Sequence, residues 1–222
     1  MNFPTLYLVA VFVGVVVGYA RRGRLQHMQW LPLWSLIVPW PAVALQVLPG
    51  WLPVLHHDWT LQLLLLLATY VIVAGFLAGL WLMLRQHAHA RAMEAAVAML
   101  AVGWLMNITV ISANGGMPVS RAALVRAGYA SETQLGKIEH VRKHVLASSQ
   151  TSLKFLGDVI PIHPLRRVIS LGDIVFLAGI SAFLAAGMMY APASGHGSRN
   201  GARHQGSPDS ERRVSFPPVD LL

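Results

Sequence analysis

The chain contains no cysteine, so disulfides, thiolate metal sites and cysteine nucleophiles are excluded before any motif is read. Charge is also scarce. Only 12% of the 222 residues are Asp, Glu, Lys or Arg, where soluble domains carry about 25%. Hydrophobic residues make up 55%, and the mean hydropathy is +0.54. These proportions exclude an ordinary water-soluble domain and place the chain in the membrane class.

Acids are rarer than bases. Nine Asp and Glu face 17 Lys and Arg, a net charge of +8. Arg predominates among the bases, with abundant Ala, Val and Leu, a compositional sign of a GC-rich bacterial genome. In a membrane protein a basic balance speaks first of topology and of anionic lipid headgroups. Nucleic acid is not an expected partner, because no RNP, helix-turn-helix or zinc signature accompanies the charge.

Five apolar runs stand out, at 3–20, 30–48, 59–84, 93–112 and 169–190. Each is close to the roughly 20 residues that a membrane-spanning helix needs. The first has its basic cluster, Arg21, Arg22 and Arg24, after the apolar stretch; a secretory signal has it before. The second contains Pro32, Pro39 and Pro41, which predicts a kinked, broken or re-entrant segment. The third carries Trp59 and Trp81 near its ends, as interface aromatics do. The expected fold is an all-α membrane protein of about five transmembrane helices. Residues 1–190 form the transmembrane domain, with a structured loop at 113–168 between the fourth and fifth spans. Residues 191–222, rich in Gly, Ser, Pro and Arg, read as a disordered basic tail.

Basic residues follow the first, third and fifth runs, whereas the connection between the second and third has neither Lys nor Arg. The positive-inside rule then predicts an outside N-terminus and a cytoplasmic C-terminal tail. Against this stand the eight Lys and Arg of the 113–168 loop, at a length where loop charges count less.

The polar design is concentrated in that loop. Asn114-Gly115-Gly116 is a turn whose glycines accept positive φ. Ser120 reads as the N-cap of a short helix through Ala127, with Gly128 at its C′ position. Ser131-Glu132-Thr133-Gln134 reads as a capping box opening a helix to about Ala147. On it Leu135, Ile138, Val141 (or Arg142) and Val145 would form an apolar stripe, and Lys137, His140 and His144 another face. The stretch from Ser152 to Pro161 is too short to span and suits a segment dipping back against the helices. Asp173 falls in the first turn of the last helix, where the helix dipole favours an anion.

Asn114-Gly115-Gly116 with Met117-Pro118-Val119, Lys143-His144, Phe155-Leu156-Gly157-Asp158-Val159-Ile160-Pro161 and Ser170-Leu171-Gly172-Asp173 together resemble a family of small bacterial integral membrane proteins catalogued as a domain of unknown function. The resemblance covers residues 1–190, its specific motifs 113–173. It implies a multi-pass protein of the bacterial cytoplasmic membrane and brings no activity with it.

Candidate binding residues are Asn114, Gly115, Gly116, Pro118, Lys143, His144, Asp158 and Asp173. Each has a plain reading too: turn formation, helix capping or a solvated basic face. His140 and His144 have the i, i+4 spacing of a two-histidine metal site, yet no His-Glu-x-x-His pattern or third ligand accompanies them. No metal or cofactor is therefore expected. Gly14–Gly18 and Gly75–Gly79 permit close helix approach, within the chain or between copies. No phosphate loop, nucleophile elbow or paired-carboxylate arrangement is present. The expected role is a non-enzymatic binding or accessory component, in contact with lipid headgroups and a membrane-protein partner. The rivals are a small transporter or channel using Asn107 and Asp173, and an enzyme acting on anionic lipid or lipid-linked phosphate through Lys137, Arg142, His144 and Asp158.

Overall fold

The computed structural model describes residues 4–29, 31, 59–87, 90–129, 140–141 and 144–190, all within the first of two units, Met1–Ala191. The second apolar run, at 30–48, lies outside the described residues except for Leu31, and so does the whole of 192–222.

The described chain is mostly helical. Helices α1 (Pro4–Ala20), α2 (Trp59–Arg85) and α3 (Arg91–Asn114) are followed by a loop holding the short α4 (Arg121–Arg126), and α5 (Leu171–Met189) comes last. Leu67–Arg85 of α2, all of α3 and all of α5 are long and apolar enough to cross a membrane. At 17 residues, α1 reaches about 25 Å, at the short end of a spanning helix. These helices form where the apolar runs are because lipid offers no partner for a free peptide group, and a helix satisfies all its own.

The last helix is the hub. It packs against both α1 and α3, while α2 packs on α3. Small residues make the approach close. A Cβ at Gly103 would lie 2.6 Å from the Gly172 carbonyl oxygen and the Phe176 nitrogen, one at Gly14 2.7 Å from the Ser181 carbonyl oxygen, and one at Gly179 2.9 Å from the Leu100 nitrogen. Ser181 Oγ also donates to the Ala10 carbonyl at 2.8 Å. Gly14 and Gly18 therefore serve packing inside the chain, whereas a Cβ at Gly75 would meet nothing within 4 Å among the described residues.

Contact order along these seams fixes direction. Gly14 meets Ser181 and Gly18 meets Met188, so α1 and α5 are parallel; Leu100 meets Gly179 and Gly103 meets Phe176, so α3 and α5 are antiparallel. Tyr70 stacks edge-on against Trp104 at 6.0 Å, while Leu84 and Met93 share the core near a short connection. The second and third helices are thus antiparallel, and α1, α2 and α5 point the same way.

The loop is partly β, contrary to the all-α expectation. Strand β1 (Met117–Val119) pairs in parallel with β3 (His144–Leu146), which pairs antiparallel with β2 (His140–Val141). Strands β4 (Ile160–Ile162) and β5 (Arg167–Ile169) form an antiparallel ladder, Ile160 opposite Ile169. The helix expected to run to Ala147 is overturned over its last turns, 140–141 and 144–146, which are strand; residues 131–139, 142 and 143 lie outside the described residues. The reason is tertiary. β1 presents a ladder edge on which the Ala147 nitrogen reaches the Val119 carbonyl at 2.9 Å, and β-branched Val141 and Val145 suit it. Local caps behave as the sequence implies. Ser120 Oγ accepts from the Ala123 nitrogen at 3.3 Å, and Gly115 ends α3 at φ 66°. Val119 and Leu124 are the buried centre of the loop, with Val125, Tyr129, Leu146 and Val168 packed on them.

Candidate functional site

Three polar constellations lie at the ends of the helices. The first joins α3 to the start of α5. Ser170 is the N-cap of α5, and its Oγ accepts from the Asp173 nitrogen at 3.0 Å. The Ser170 nitrogen donates to Asp173 Oδ2 at 3.1 Å, closing a capping box. Asn107 reaches in from α3, donating from Nδ2 to Asp173 Oδ1 at 2.7 Å and accepting from Ser170 Oγ at 2.9 Å. Gly172 is pressed onto the Asn107 side chain, so only a residue without Cβ fits there. Ser170 is fully buried. Both carboxylate oxygens of Asp173 are thereby engaged by donors, at the positive end of a helix. Asp173 is thus held in a closed circuit, a lock that links α3 to the start of α5.

The second constellation fastens the loop. Asn114 ends α3, and its Oδ1 accepts from the Ser152 nitrogen at 2.8 Å while its Nδ2 donates to the Ser152 carbonyl at 3.0 Å. Asp158 lies along the other edge of β1. Its nitrogen donates to the Pro118 carbonyl at 2.8 Å, and its carbonyl accepts from the Ser120 nitrogen at 2.9 Å. This pattern suits Pro118, because the donors come from positions 120 and 158 and none is needed from the proline. Gly157 makes the approach possible: a Cβ there would lie 2.5 Å from the Pro118 carbonyl oxygen. Asp158 itself is buried, 5% exposed.

The third lies at the opposite end. The Met188 carbonyl, near the C-terminus of α5, accepts from the Arg24 nitrogen at 2.8 Å and from His27 Nδ1 at 2.8 Å. His87, after α2, stacks edge-on against Tyr190 at 6.4 Å. Around this end stand the exposed residues Arg21, Arg22, Arg24, Arg85 and Arg91.

A family profile described as "Family of unknown function (DUF5317)" matches residues 31–185, more than half of the chain. The chain belongs to that family. The DUF5317 match takes in α2, α3, the loop and nearly all of α5, hence the first two constellations. No curated protein and no solved structure matches the chain.

The candidate residues named from sequence divide between these places. Asn114, Gly115, Gly116, Pro118 and Asp158 gather at the fastening of the loop, and Asp173 belongs to the separate lock with Asn107. Lys143 lies outside the described residues. The His144 backbone pairs with Val141 on one side and Met117 on the other, so β1 separates it from Asp158. With strands about 4.8 Å apart, the two backbones stand roughly 10 Å from each other. The i, i+4 histidine geometry also fails, since His140 and His144 are on paired strands. Among the described residues no group of three or more His, Asp or Glu is placed to hold a metal. Sequence reading missed Ser152 and Ser170 as partners, although Ser170-x-x-Asp173 is a legible capping pattern. The His27–Met188 contact spans 161 positions and has no local signal.

Proposed function

We propose that this chain is an integral protein of the bacterial cytoplasmic membrane that crosses five times, and that it serves as a non-enzymatic binding or accessory component through its 113–168 loop. One observation carries this reading. The polar residues that the sequence singles out bond to one another and to backbone, fastening the loop onto the helix ends. A loop held this way is a shaped surface for a partner. The lipid bilayer, its anionic headgroups and a second membrane protein are the partners proposed.

The count of five is supported by helix direction. Helices α1 and α2 point the same way, so a chain crossing with both needs a return between them, and the apolar run at 30–48 is the sequence available for it. The orientation is supported by the five exposed arginines at one end, which the positive-inside rule puts in the cytoplasm. The loop, at the other end, then faces outward.

Two experiments test these statements. Single cysteines at exposed Ala122 and Gln86 in the cysteine-free chain report opposite ends. Labelling of Ala122→Cys from outside with Gln86→Cys protected is expected; the reverse inverts the orientation, and equal labelling of both removes the two-ended bundle. A photo-crosslinking residue at exposed Arg126 should give a discrete protein adduct in cells, and lipid adducts alone would remove the accessory role. The transporter alternative draws on Asn107 and Asp173, which do meet. Liposome flux abolished by Asn107→Leu would favour it over the present reading. The lipid-enzyme alternative is disfavoured by the separation of His144 from Asp158.

A further inference from the structure

The stretch after Ser152 breaks the usual economy of a loop. Leu153 adopts φ 51°, ψ 41°, a left-handed conformation that is unfavourable for a residue bearing a side chain. The turn it opens, Lys154–Leu156, packs against α3 and α5, yet it turns its apolar residues outward. Leu153 is 38% exposed, Phe155 65% and Val159 37%, with exposed Lys154 among them. Burying such side chains is favourable, so strain here accompanies exposure where burial would be the ordinary outcome.

The level of this stretch in the bundle explains it. Ser152 is bonded to Asn114, the last residue of α3. With 24 residues, α3 is about 36 Å long against a hydrocarbon layer of about 30 Å. Its end therefore reaches the headgroup boundary. Helix α5 begins at the same end, with Leu171 and Ile174 exposed. The outward face of Leu153, Phe155 and Val159 is thus continuous in level and character with the lipid-facing helices. We infer that residues 153–159 form an interfacial foot that enters the leaflet on the loop's side. Phe155 and Leu153 lie in the upper acyl region, and Lys154 lies among the headgroup phosphates, as an amphipathic side chain at a membrane surface does. The foot anchors the loop at a fixed depth. This inference rests on the membrane reading above.

The test uses the full chain, cysteine-free apart from one introduced residue, in phosphatidylcholine vesicles with a minority of phosphatidylglycerol. Phe155→Cys, Gln150→Cys and Val102→Cys each carry the same environment-sensitive fluorophore. The expected result is blue-shifted emission at 155, quenched several-fold more than at 150 by lipid spin-labelled near the headgroup, and protected from iodide. Iodide access at 155 equal to that at 150 overturns the foot. Protection from both quenchers overturns it too, because protein and not lipid would then cover the site. Val102, exposed at the middle of α3, should be quenched by lipid labelled deep in the chain; failure there removes the membrane reading itself.

Discussion

Asn107 donates to Asp173 across the α3–α5 seam at 2.7 Å, about one helical turn along α3 from Gly103 and next to Gly172, the pair that brings the helix backbones together. Close backbone approach and a charge-assisted hydrogen bond thus act at one level of the bundle. Each can be removed separately.

Asn107→Leu leaves a carboxylate oxygen of Asp173 without its partner. Loss of a hydrogen bond to a charged group costs about 1.5–3 kcal/mol, so thermal unfolding in detergent should shift down measurably. Asp173→Asn should be milder. The Asn107 amide can turn over, accept from the new amide and donate to Ser170 Oγ, so both side-chain contacts are kept and only the Ser170 hydroxyl proton gives up its acceptor. Equal loss in the two variants would show that charge, not the hydrogen-bonded circuit, carries the stability.

Gly103→Ala and Gly14→Ala put a methyl against backbone atoms, 2.6 Å and 2.7 Å away, which cannot swing aside. Overpacking of this kind costs about 1–3 kcal/mol. Gly18→Ala meets the Met188 sulfur at 2.5 Å, the end of a flexible side chain, and should be tolerated better. Gly75→Ala meets nothing among the described residues and should stabilise α2 by up to about 1 kcal/mol. Melting temperatures of the four variants give the order; a destabilised Gly75→Ala would mean that this face has a neighbour.

Asn114→Ala releases both Ser152 backbone groups. At about 1 kcal/mol per bond, the loop should loosen without unfolding the helices. Hydrogen exchange at the Ser152 amide should accelerate, with exchange in α3 and α5 unchanged. Unaltered protection at Ser152 would contradict the fastening.

His27→Ala removes a side-chain bond to the Met188 carbonyl at the negative end of α5. A loss of about 0.5–1.5 kcal/mol is expected, whereas His87→Ala should act on the Tyr190 ring contact instead. Double-mutant analysis should find the two nearly additive; strong coupling would mean the two contacts form one unit.

The four long helices were legible because each is written in consecutive residues, and the caps at Ser120 and Gly128 and the positive-φ turn at Gly115 were legible for the same reason. What escaped was written in pairs. The turns of 140–146 carry a helix-like pattern, but β1 supplies a ladder partner 27 positions away, Met117 opposite His144. Asn107 was visible as a polar residue in an apolar run and was paired with Asp173, 66 positions on, only in the transporter reading; its bond with Ser170 was not visible. The backbones of His144 and Asp158 come out on opposite sides of β1 for a related reason, since spacing along the chain says nothing of a strand lying between them.

Because α5 follows α1 and α3 in the chain and packs against both, their seams with it close only once it has been made. The Ala10 carbonyl meets Ser181 171 positions later, and Asn107 and the glycine face of α1 likewise wait for α5. Until it emerges, α1 and α3 hold matching surfaces with nothing between them. Assembly is therefore a closing step made from the C-terminal side, and a ribosome stalled before Ile169 would leave α1 without its principal seam.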